Sequence, residues 1–132
     1  MTTHTTDPVQ HPRTAADAVR AFNHATLPTF GEGPQLAYPG TVYRALAAFT
    51  TLARGLPQAY DQIGTALARL HQTGHLTADH GTPTQHTDAV SIALREAEHH
   101  ATAMTAALER AHSASAPLGY NGPIDDDTDD DL

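Results

Sequence analysis

Two stretches of the chain place apolar residues at alternating intervals of four and three. Over residues 41–73 they are Val42, Leu46, Phe49, Ala53, Leu56, Tyr60, Ile63, Leu67 and Leu70, without a miss. Over 82–114 they are Val90, Leu94, Ala97, Ala101, Met104, Leu108 and Ala111. This spacing keeps one narrow stripe of a helix against a partner, at positions a and d of a heptad. Leu46, Ala53, Tyr60 and Leu67 take position a in the first run, and Ala101 takes it in the second. Ala45, Leu52, Ala59 and Ala66 form a flanking row at g.

The ends of both runs carry helix punctuation. Thr82 can cap the second, with Pro83 at its first position and Gln85 placed for a reciprocal capping box. The first run closes at Gly74, a residue suited to the left-handed conformation just past a helix. Inside the first run, Gly55-Leu56-Pro57 interrupts the helix chemistry, because proline removes one backbone bond and crowds a carbonyl. The apolar stripe keeps its phase across Pro57, so a kinked continuous helix over 41–73 is expected rather than two helices. Helices of roughly 30 residues span about 45 Å each. Joined by a short loop, they predict a long antiparallel hairpin.

Before the hairpin, Thr14 reads as the cap of a short helix over 14–26, with Val19 and Phe22 on one face. Residues 1–13, rich in Thr, His and Pro, read as disordered. The segment LPTFGEGPQLAYPG reads as a surface loop. The expected organisation is an all-α chain: a helical domain over 14–120 between a disordered N-terminus and an acidic tail over 121–132. Leu118, Tyr120 and Ile124, just ahead of the acidic run, are expected to pack back on the hairpin.

Composition narrows the chemistry. The chain has 132 residues, no Cys, no Trp and no Lys, so thiolate chemistry, disulfides and Cys-based zinc sites are excluded. Its net charge of −8 is concentrated in Asp125, Asp126, Asp127, Asp129, Asp130 and Asp131. The remainder is nearly neutral and its Arg residues form no stripe, which argues against direct nucleic-acid binding. The tail is extended by its own repulsion and could dock on a basic partner surface. MTTHTTDPVQHPR lacks the features of a secretory signal, and no apolar run approaches the roughly 20 residues of a membrane span. A cytoplasmic location is expected.

Ten histidines raise the question of metal. His71 and His75 are four apart, but Gly74 would place His75 beyond the last helical turn and break their alignment. Glu96-x-x-His99 and Glu109-x-x-His112 echo the ligand pairs of dimetal helix bundles. Heptad phase puts Glu96 at c, His99 at f, Glu109 at b and His112 at e, so both pairs are expected on a solvated polar face. No metal or other cofactor is expected. Histidine also gains charge within the physiological range, and ten added protons would take the chain from −8 to +2. A His-rich metal-binding or pH-responsive helical protein is therefore the rival reading. No nucleophile elbow, phosphate loop or H-E-x-x-H motif is present, so no catalytic residues are assigned.

The runs AADAVRAFNHATLP, YPGTVYRALAAFTTLARGLPQAYDQIGTALARL and HTDAVSIALREAEHHATAMTAALERAHSASAPLGY carry a resemblance. The chain resembles a group of small uncharacterised actinobacterial helical proteins, whose genes lie near those for mobilisation proteins and relaxases on mobile elements. The likeness spans about residues 14–120, chiefly through Tyr38-Pro39-Gly40-Thr41-Val42-Tyr43 and Leu56-Pro57-Gln58. It brings no catalytic residues, and it implies an accessory role in DNA mobilisation, with a relaxase or transfer protein as partner. Small secreted helical-hairpin proteins with a Trp-x-Gly turn are a poorer comparison, because the turn here is Thr73-Gly74-His75. The expected function is a non-enzymatic interaction module that self-associates, a dimer being favoured. The residues expected to carry contacts are Leu46, Phe49, Leu52, Leu56, Tyr60, Ile63, Leu67, Val90, Leu94, Ala97, Ala101, Met104 and Leu108.

Overall fold

The computed structural model describes residues 7–27 and 36–123. These residues are all-helical, with no strand among them. The helices are α1 (Gln10–Ala25), α2 (Pro39–Arg54), α3 (Leu56–Gln72) and α4 (Pro83–Ser115). Among the described residues, no helix is long and apolar enough to cross a membrane. The expected tail sites Asp125, Asp126, Asp127, Asp129, Asp130 and Asp131, and the expected anchor Ile124, lie outside the described residues.

Helix α1 begins four residues earlier than Thr14, inside the stretch expected to be disordered. Its start is built by Asp7, whose Oδ1 accepts a bond from the Val9 N–H at 3.0 Å while its carbonyl accepts one from the Gln10 N–H. Pro8 and Pro12 fit there because first-turn N–H groups lack intrahelical partners in any case. Helix α2 likewise starts two residues before Thr41, since Pro39 is suited to the first helical position and Tyr38 supplies an extended cap.

The single helix expected over 41–73 is replaced by α2 and α3, separated by Gly55 alone. Gly55 keeps right-handed helical angles (φ −81°, ψ −16°), and its N–H reaches the Leu52 carbonyl at 3.2 Å, one residue short of the α-helical partner. The joint is thus a tightened turn ahead of Pro57, not a loop. Gly74 (φ 75°) follows α3, and Gly81 (φ 65°) precedes the cap of α4. Thr82 and Gln85 form the reciprocal capping box, with bonds of 3.0 and 3.2 Å.

Helix α4 packs on both α3 and α2. Thr84 lies beside His71, Leu94 opposite Gly64, Glu109 beside Arg54 and His112 beside Tyr43, so the chain runs in reverse order along its partner rods. Helix α1 leans on α2 through Phe22, whose ring meets Phe49 edge-on at 5.0 Å. At the other end of the chain, Tyr120 meets Tyr38 edge-on at 5.2 Å, while Leu118 stays exposed.

Candidate interaction surfaces

Burial along the rods follows a different stripe from the one the apolar spacing picks out. On α2 and α3, Leu46, Thr50, Ala53, Pro57, Tyr60, Gly64, Leu67 and His71 are buried or half-buried. On α4 the corresponding set is Leu94, Glu98, Ala101, Thr105, Leu108, His112 and Ser115. These inward stripes keep the residues expected at a, but where a d residue was expected they use its neighbour one position on. Ile63 gives way to Gly64, Leu70 to His71, Met104 to Thr105 and Ala111 to His112.

Small size accounts for Gly64 in place of Ile63 and Thr105 in place of Met104, whereas His112 is larger than the Ala111 it displaces. Gly64 faces α4, where a Cβ would make ordinary contact 3.6 Å from Leu94 Cδ1 and a longer side chain would meet Leu94. Ala53 and Ala101 are the two buried apolar residues among those described. The hydroxyls admitted to the contact are satisfied within their own helices. Thr50, only 5% exposed, donates to the Leu46 carbonyl at 2.7 Å, Thr105 to Ala101 at 2.9 Å, and Ser115 to His112 at 2.8 Å. Burying a hydroxyl bonded this way avoids the cost of an orphaned polar group.

The displaced residues form a second, outward stripe. On α2 and α3 it runs Phe49, Leu52, Leu56, Ala59, Ile63, Ala66 and Leu70, and on α4 Val90, Ala93, Ala97, His100, Met104, Ala107 and Ala111. Its spacings are again three and four, and His100 is its one polar member. Of the residues expected to carry contacts, Leu52, Ile63, Val90 and Met104 are exposed here, and Phe49, Leu56 and Ala97 are half-buried. The other six, Leu46, Tyr60, Leu67, Leu94, Ala101 and Leu108, sit in the inward stripes. Helix α1 lies beside one end of the outward stripe, where Ala18, Val19 and Phe22 line an open groove with Ala48, Phe49 and Leu52. The opposite edge of the α3–α4 pair is polar, a groove flanked by Asp61, Ser91, Arg95 and Glu98.

The histidines are distributed among local partners. His71 Nε2 lies 3.2 Å from Thr84 Oγ1, tying the last turn of α3 to the first turn of α4. His75 is exposed beyond Gly74, its N–H donating to Thr73 Oγ1 at 3.3 Å. His86 Nε2 lies 2.6 Å from the His80 carbonyl, and the two rings meet edge-on. His112, expected on the solvated face, is instead half-buried in the inward stripe, where it stacks on Tyr43 at 4.1 Å with its Nε2 buried and unpartnered. Glu96 and His99 are exposed, while Glu109 pairs with Arg54 at 2.9 Å on the surface. Among the described residues, no three His, Asp or Glu side chains gather as a metal could require. No protein-family model matches the chain, and no match was found among curated proteins or solved structures.

Proposed function

We propose that this chain is a non-enzymatic helical interaction module that self-associates through its long antiparallel hairpin. The observation that carries the reading is the imbalance of burial. Only Ala53 and Ala101 are buried apolar residues among those described, and no large side chain is fully buried, yet Leu52, Ile63, Leu70, Val90 and Met104 stand exposed along the rods. Each half-exposed aliphatic chain has about 1 kcal/mol to gain from full burial. Ten such chains in a pair offer on the order of 10 kcal/mol, similar in size to the about 4–15 kcal/mol that association costs. The expected association is therefore moderate and concentration-dependent.

The resemblance to proteins encoded near relaxase genes makes the role an accessory one in mobilisation of mobile-element DNA, exerted through protein contacts. The six tail aspartates suit a basic surface on a relaxase or transfer protein. Sedimentation across a concentration series tests the self-association: a rise in mass with concentration is expected, and a fixed monomer removes it. Capture from cells tests the role, and the absence of any relaxase or transfer protein among recovered partners removes that. The metal-binding rival has less behind it, because His71 and His86 each have a ring nitrogen engaged within the fold. A zinc-dependent rise in melting temperature, reversed by chelator, would restore it.

A further inference from the structure

We propose that a second copy of this chain covers the outward stripe, with α3 of one protomer laid over α4 of the other. This rests on the self-association proposed above and assigns it a face and a pairing. Helix α1 touches the stripe at Phe49 through the Phe22 ring, and along the α3 part Ile63 and Leu70 remain exposed. That part is about 25 Å long and about 20 Å across two helices, roughly 500 Å² of apolar face per protomer. A patch of this size is at the upper end of what a monomer exposes, where such patches often serve a partner. Two such faces bury about 1,000 Å² together, the lower size of a specific interface.

The order of large and small residues makes the face complementary to itself. Within one protomer Gly64 is level with Leu94, so Ala93 and Ala97 bracket the level of Ile63. A two-fold axis parallel to the rods brings Ile63 over the small residues Ala93 and Ala97 of the partner subunit. An axis across the rods would instead set Ile63 on Ile63 and Ala97 on Ala97, large on large and void on void. Interdigitation of large with small favours the first arrangement. The product is a four-helix layer in which each rod has antiparallel neighbours.

Two measurements on the full chain test this. In sedimentation velocity from about 1 to about 100 µM, a range suited to a small interface, the unaltered protein is expected to dimerise. The double variant Ile63→Glu with Leu70→Glu is expected to stay monomeric with unchanged helical circular dichroism. Ile92→Glu, at a residue 68% exposed and off the stripe, is expected to dimerise normally. A wild-type monomer throughout overturns both the face and the self-association. A dimer that survives Ile63→Glu with Leu70→Glu overturns the face alone, as does one abolished by Ile92→Glu. Because the chain has no Cys, single-Cys variants report the pairing. Mixed Ile63→Cys and Ala93→Cys chains are expected to form a mixed disulfide faster than either forms one with itself. Preferential self-pairing of Ile63→Cys overturns the α3-on-α4 arrangement.

Discussion

Gly64 and Gly81 show opposite uses of the same residue. Gly64 is a helical glycine facing Leu94, and a Cβ there would make ordinary contact at 3.6 Å. Its backbone freedom has no use in α3, so Gly64→Ala is expected to raise stability by about 0.5–1 kcal/mol. Gly81 has φ 65°, and a Cβ there would stand 2.7 Å from Gln85 Oε1, the atom that caps Thr82. Gly81→Ala is expected to cost about 1–3 kcal/mol by straining the turn and loosening the capping box. Urea unfolding at one fixed protein concentration separates the two, and equal midpoints for both variants would refute the assignment. The capping box was legible from Thr82-Pro83-Thr84-Gln85 because its signal is chemical and local. The burial of Thr50 and Thr105 was not. Their hydroxyls are satisfied by carbonyls four residues earlier, which no count of apolar spacing registers.

At the scale of the elements, helix starts depended on prolines more than the apolar pattern suggested. Helix α1 starts at Gln10, just after Asp7-Pro8 and with Pro12 in its first turn, and α2 starts at Pro39, so both begin ahead of the first periodic residue as proline's tolerance at a first turn allows. Helix α1 is the least supported element. It buries no residue, and Phe22 against Phe49 is its one ring contact among the described residues. Phe22→Ala is expected to release α1, at a cost near the about 0.5–1.5 kcal/mol typical of an aromatic pair beyond its area. Limited proteolysis reads this: new cleavage within residues 10–25, with 39–115 still protected, is the expected outcome. An unchanged digestion pattern would mean that Val19 and Ala18 hold the helix without the ring.

At the scale of the whole molecule, the proposed dimer makes a prediction about His100, the polar residue in the outward stripe. His100→Leu is expected to tighten dimerisation about tenfold, a change of about 1.4 kcal/mol, by replacing an imidazole with an aliphatic chain of the kind that flanks it. A dissociation constant unchanged in sedimentation would place His100 outside the contact. The sequence by itself determined that the described chain is helical, where α3 stops at Gly74, how α4 is capped, and which residues share a row on each rod. Those features are local: backbone chemistry sets the ends, and 100° per residue sets the angles between side chains on one helix. Only the tertiary structure decided which row turns inward. Spacing fixes the rows relative to one another but leaves the rotation of a helix about its own axis free. Close approach fixes that rotation, and here it favoured Gly64, Thr50, Ala53, Ala101 and Thr105 at the contact. Ile63, Leu70, Val90 and Met104 were left outside, where a partner can reach them.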